Sequence, residues 1–149
     1  MVYSHGDVLM KYSVAYFSRT GNSGRIAQKI AQKLSTEAIE VTDNMNWKGP
    51  IGYMRAGRCA LNNKDVDISI HGKIDSDEFI VVTPLWAGKI TPAIRKLLQT
   101  LPKDKVHLIV SSGSSTLKER ADYKSVLDII KKEKNEDEKI AAFTGSLSQ

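Results

Sequence analysis

The chain has 149 residues, 41% apolar and 26% charged, which suits one domain with a buried core and is too apolar for a disordered chain. No apolar run reaches the roughly 18 residues of a membrane span, residues 1–10 lack the basic flank and apolar stretch of a secretory signal, and a single cysteine, Cys59, excludes an internal disulfide. A reducing, cytoplasmic setting without membrane contact is the expectation. The net charge is +5, from 22 basic and 17 acidic residues, and at first sight it suggests a polyanion partner. Yet residues 8–36 hold no acid and five bases, Lys11, Arg19, Arg25, Lys29 and Lys33; without these five, 17 basic residues face 17 acidic ones. The excess is local, which argues against a nucleic-acid surface.

In chain order, residues 12–17 (YSVAYF) form an aromatic and β-branched run that reads as a strand, stopped by the polar sequence Ser18-Arg19-Thr20-Gly21-Asn22-Ser23. Ile26, Ala27, Ile30, Ala31 and Leu34 then recur with the spacing of one helix face. Residues 38–41 predict a second strand, and residues 50–64 a helix weakened by Gly52 and Gly57. Residues 79–83 (FIVVT) are apolar on both faces, as inside a parallel sheet. Thr91 caps a helix with Pro92 at its first position, and Pro102 closes it. Residues 106–110 repeat the buried-strand pattern. A helix is expected around 122–134, with Val126, Leu127 and Ile130 inward, and a last short strand at 140–147.

Strands alternating with helices imply right-handed crossovers and a parallel sheet covered on both faces. Ligands of such sheets bind beyond the C-terminal strand ends. Three loops leave those ends, at 18–23, 84–90 and 111–116. The first supplies short hydroxyl and amide side chains from Ser18, Thr20, Asn22 and Ser23, with Gly21 and Gly24 for sharp turns, and runs into the positive end of a helix. That helix lacks the acids usual in a first turn and carries Arg25 there, which suits a bound phosphate. The loop has neither G-x-x-x-x-G-K-[ST] nor G-x-G-x-x-G. Polar side chains around one terminal phosphate point to a mononucleotide.

The run Tyr16-Phe17-Ser18-Arg19-Thr20-Gly21-Asn22-Ser23 resembles the phosphate loop of the flavodoxin family, S/T-x-T-G-N-[ST]. Thr83-Pro84-Leu85-Trp86-Ala87-Gly88-Lys89-Ile90-Thr91-Pro92 is similar to the T-P-x-W-A-G-x-x-x-P segment of short flavodoxin-family proteins, and residues 51–58 to another segment of theirs. The resemblance spans about residues 11–115. It implies an α/β three-layer sandwich with five parallel strands in the order 2-1-3-4-5, residues 1–10 being an N-terminal extension to a domain at 11–149. It also implies non-covalent FMN, with Ser18, Arg19, Thr20, Gly21, Asn22 and Ser23 at the phosphate. Pro84, Leu85, Trp86, Ala87 and Gly88 would lie along the ring, and Ser112, Gly113 and Ser114 at its pyrimidine edge. In this family a peptide of the second loop can turn to accept a hydrogen bond from the flavin N5–H, and Gly88 tolerates that turn.

Alternatives remain at several of these residues. Trp86 offers either a stacking face or a core side chain, Lys89 either a surface charge or a partner for the ring, and 112–115 either a ligand loop or a simple turn. The third loop lacks the aromatic residue many flavodoxins place there, so the outer ring face is open or is covered by Trp47 or Tyr53. Because flavodoxins are typically acidic and this chain is not, a bound flavin is expected to have a less negative potential.

The implied function is electron transfer with a redox partner protein; the alternatives are an NAD(P)H-dependent FMN or quinone reductase and a flavin-free interaction module. His5, His71 and His107 have no metal-ligand spacing, Asp75, Asp77 and Glu78 read as a solvated turn, and no protein-side catalytic group stands out. The last helix of the family's fold is expected to be missing, since little chain follows residue 147, and a homodimer would then cover the bare sheet face.

Overall fold

The computed structural model describes residues 10–61 and 65–147. The expected 1–10 extension apart from Met10, His5, and positions 62–64 of the expected second helix lie outside them. Strands β1 (Tyr12–Tyr16), β2 (Ala38–Asp43), β4 (Glu78–Trp86), β6 (Val106–Ser112) and β7 (Ser125–Ile130) are parallel and lie in the spatial order β2-β1-β4-β6-β7. Ranked along the chain, that order is 2-1-3-4-5, the doubly wound flavodoxin-like arrangement. An additional strand, β3 (Ile68–His71), extends the edge beside β2 in antiparallel register. A two-residue strand, β5 (Lys89–Ile90), folds back on β4 as a hairpin.

Side chains alternate across the sheet because successive Cβ atoms point to opposite faces. Val14, Ile80, Val82, Ile109 and Ile129 face helix α1 (Asn22–Lys33) and helix α4 (Glu136–Leu147). Ala15, Val81, Leu108 and Val110 face helix α2 (Gly49–Leu61) and helix α3 (Pro92–Leu98). The α2 helix forms despite its glycines, and Gly52 has a positive use: a Cβ there would lie 2.2 Å from the Trp47 carbonyl carbon. Thr91 caps α3 as expected, its Oγ1 accepting from the Ile94 N–H at 3.4 Å.

The C-terminal third differs from the sequence expectation. Residues 125–130 are strand, not helix, and residues 136–147 are helix, not strand. Val126, Leu127 and Ile130 fit helical spacing, but pairing with β6 over His107↔Ser125 to Ser112↔Ile130 places Leu127 and Ile129 on one face and Val126 on the other. The last helix is therefore present, and Ile140, fully buried, seals the sheet face beside α1. The expected self-association loses its physical basis, because α4 covers that face. The crossover without a helix is instead the one between β6 and β7, residues 113–124.

A second correction concerns Glu78. It is 5% exposed rather than solvated, and it joins a buried network at the N-terminal end of the sheet. His107 Nε2 lies 2.7 Å from Glu78 Oε1, His107 Nδ1 lies 2.7 Å from Ser125 Oγ, and Lys124 pairs with Glu78 Oε2. Burial drives the Glu78 carboxyl upward, but the hydrogen bonds from Lys124 and His107 outweigh it and hold the group below its ordinary value. Ser125 thus ties the start of β7 to β6 through His107, and Lys124, just before it, ties that end to β4 through Glu78.

Candidate functional site

The polarity of the sheet places the ends of β1, β4 and β6 side by side, and the strand order reverses between β1 and β4. That switch point is where ligands of open α/β sheets bind. A cavity of about 480 Å³ lies there, within the range of small-molecule sites. Ser18, Arg19, Thr20, Asn22 and Ser23 line it from the first loop, Pro84, Leu85, Trp86 and Ala87 from the second, and Ser112 and Gly113 from the third. Three segments drawn from residues 18 to 113 thus meet as the sequence suggested. Gly21, Gly88 and Ser114 are not part of the wall. A larger depression of about 1610 Å³ lies at the opposite pole, around Met10, Glu78 and Lys124; its size exceeds that of ligand sites.

The first loop is built around the start of α1. Gly21 is the N-cap with φ 95°, a left-handed conformation, and no side chain caps the helix. Its own N–H donates to Ser18 Oγ at 2.9 Å, so the loop closes on itself. The first turn holds no acid. The orphan N–H groups of that turn and the positive end of the helix dipole are therefore open to an external anion. Ser23 is fully buried and bonds Ser111 Oγ at 3.0 Å, tying α1 to the end of β6.

Two basic residues of this region do other work. The Arg19 guanidinium reaches the backbone carbonyls of Trp47 at 2.6 Å and Gly49 at 3.1 Å. It anchors the segment between β2 and α2 to the loop. Arg25, expected to answer a phosphate, pairs with Glu136 of α4 at 2.6 Å and donates to Asn22 Oδ1 at 2.8 Å. Lys29 pairs with Glu136 and Asp137, both at 2.8 Å. Hydrogen bonding to Arg25 holds the Glu136 carboxyl at about 2, against an ordinary value of 4.5. Much of the local positive excess therefore serves packing, and what stands open at the start of α1 is backbone N–H groups.

The second loop is tighter than expected. β4 runs through Trp86, and Ala87 (φ 52°) and Gly88 (φ 79°) make a two-residue turn with both centres left-handed, the arrangement that suits a hairpin's twist. Trp86 is 8% exposed. It packs edge-on to Phe17 with centroids 5.5 Å apart and to Trp47 at 4.9 Å. It is a core side chain, and its remaining surface forms part of the cavity wall. Trp47 is buried too, its indole N–H donating to Asp43 at 2.8 Å, so it does not cover an outer ring face. The Tyr53 side chain lies outside the described residues.

In the third loop Ser112 Oγ donates to the Ser115 carbonyl at 2.5 Å and accepts from the Ser115 N–H at 3.1 Å. The Lys132 N–H donates to the Gly113 carbonyl at 3.1 Å, which fixes the loop against the end of β7. Sequence reading placed Ser111 in the third loop but missed its role as an anchor for Ser23. It also missed Ile129, Lys131 and Glu136 in the wall, because placing them requires β7 where the sequence suggested helix. Among the described residues no cluster of His, Cys, Asp and Glu could hold a metal ion, Cys59 is buried, and no helix is long and apolar enough to cross a membrane.

No protein-family model matches the sequence, and no curated protein matches it. Solved structures do resemble it in fold. A candidate flavoprotein of Bacteroides eggerthii matches 94% of this chain and 99% of its own with a TM-score of 0.71 at 18% identity. A candidate flavoprotein of Bacteroides uniformis matches 86% and 96% with a TM-score of 0.63 at 18% identity. A flavoprotein of Lactobacillus acidophilus, crystallised in complex with FMN, matches 87% and 97% with a TM-score of 0.61 at 19% identity. The chain shares with these proteins a flavodoxin-like fold.

Proposed function

We propose that the chain binds FMN non-covalently at the switch-point cavity and serves as an electron carrier between protein partners. The observation that carries this reading is the start of α1, a helix end with no acid in its first turn and no side-chain cap, opening on a cavity of ligand size. The crystallisation of one structural neighbour with FMN supports the choice of mononucleotide.

Bound FMN would supply the redox chemistry, one or two electrons at a time. The phosphate would be held by N–H groups of the first loop with the side chains of Ser18, Thr20 and Asn22. Ser23, fixed by Ser111, positions that turn. Pro84, Leu85, Trp86 and Ala87 would flank the ring, and the Phe17, Trp47 and Trp86 cluster keeps that wall rigid and dry. Ser112 and Gly113 would present backbone groups to a polar ring edge. Each tenfold preference of these residues for one redox state shifts the potential by about 59 mV per electron.

Titration of FMN with the purified chain tests the reading. Stoichiometric quenching of flavin fluorescence is expected, and free FMN that keeps its fluorescence at micromolar protein overturns it. Mixing the loaded protein with NADH or NADPH in a stopped-flow instrument then separates carrier from reductase. A carrier stays oxidised until a partner reductase is added.

A further inference from the structure

We propose that a second cavity, on the far side of the Ala87–Gly88 turn, is a binding site for a small aromatic anion such as an aromatic carboxylate. The proposal goes beyond the FMN reading and stands whatever fills the first cavity.

The helix-free crossover creates the space. In a doubly wound sheet each crossover normally lays a helix on the sheet, and the one between β6 and β7 would lie beside α3. Here residues 113–124 take its place as a connection without a helix. A cavity of about 440 Å³ opens between that connection, α3 and the hairpin turn, large enough for a small-molecule ligand. The connection is pinned rather than loose. The Leu117 N–H donates to Asp128 Oδ1 at 3.0 Å, and Arg120 bonds Asp128 Oδ2 at 2.5 Å.

The lining selects the ligand. Leu98 and Leu117, each 4% exposed, and the half-buried Tyr123 ring give an apolar, partly aromatic wall that suits a planar ring. Lys89, Arg95, Lys103 and Lys118 line it, and Glu119 is the one acid in the wall. Among the described residues none of the three lysines makes an ion pair. Lys103 Nζ lies 5.6 Å from the Tyr123 ring centre, so charge and aromatic face are already juxtaposed. Four cations against one acid around an apolar pocket favour a ligand whose anionic group stays at the rim while its ring enters. Ala87 borders both cavities, so a molecule here would sit one turn away from the first site.

The test is a titration of the full chain with 1-naphthoate, followed by amide chemical shifts, with and without saturating FMN. Saturable shifts are expected at Gly88, Leu117, Lys118 and Tyr123. The uncharged isostere 1-naphthalenemethanol is expected to bind about tenfold more weakly, as is 1-naphthoate to the Lys103→Glu/Lys118→Glu variant. Both substitutions are at exposed positions, and a preserved amide spectrum of the variant shows that it folds. Absence of saturable shifts overturns the proposal, and so does equal binding of the neutral isostere. Loss of 1-naphthoate binding on adding FMN also overturns it, by assigning the ligand to the first cavity. Binding that persists in a chain unable to take up FMN supports this site while removing the flavin reading.

Discussion

Helices α1 and α4 lie side by side on one face of the sheet and begin in opposite ways. The first starts at a left-handed glycine with no acid and no side-chain cap, and buries Ser23, Ile26, Ala27, Ile30 and Ala31. The second starts with Glu136, Asp137 and Glu138 and fully buries Ile140 alone. A helix start is a concentration of positive partial charge, and the chain's own acids normally answer it. α4 is answered in this way, and its acids also hold Arg25 and Lys29. α1 is well packed but electrostatically unanswered. The contrast teaches that an opening for an anion need not be a positively charged patch. In the proposed reading the phosphate would meet one helix start left open, with Arg19, Arg25 and Lys29 engaged elsewhere.

The deepest break in this comparison is Ile140→Ala. It removes the main apolar anchor of α4 and should cost about 3 kcal/mol, read as a shifted denaturant midpoint. An equivalent loss at an exposed α4 position would show that α4 is not docked as described. Next is Thr20→Asp, which places an acid just ahead of the α1 N-cap. FMN affinity should fall roughly tenfold to hundredfold by repulsion with the phosphate, while thermal stability holds or rises slightly. Parallel losses of binding and stability would point to a damaged loop instead.

Glu136→Gln should weaken the pairing of the two helices by about 1 kcal/mol. The folded value of about 2 lies below the ordinary 4.5, so ionised Glu136 stabilises the fold above pH 4.5. That contribution is lost as pH falls from there toward 2. The variant should therefore show a flatter loss of stability in this window, by chemical denaturation at each pH. An effect of the same order is expected of Gly21→Ala. Nothing lies within 4 Å of the added Cβ, so the cost is that of φ 95° alone, about 1 kcal/mol.

What could be read in the sequence follows from how local each signal was. The first strand, its loop and α1 were legible because apolar spacing and turn residues agree over residues 12–34. The buried strands β4 and β6 were legible as short β-branched runs, and α3 from Thr91 and Pro92. The exchange of helix and strand after residue 122 came from ambiguity at short range. Val126, Leu127 and Ile130 suit either period, and only pairing with β6 decides. Acids at 136–138 were the available signal for a helix start, but the surrounding lysines make the stretch resemble a solvated end. The partner of Arg25 could not be read at all, since Glu136 lies 111 residues away.

The helix-free crossover also bears on how stability is distributed. β7 is the outermost strand, with Ile129 its only buried residue, and the chain reaches it without a helix packed on the way. Its hold on the domain therefore depends on β6 on one side and α4 above. β7 and α4 together form the piece best able to open as a cooperative unit while β1, β4 and β6 stay closed. Native-state hydrogen exchange should find their amides sharing one opening free energy below that of global unfolding. Because Ile129, Lys131 and Glu136 border the first cavity, a ligand bound there would slow that opening.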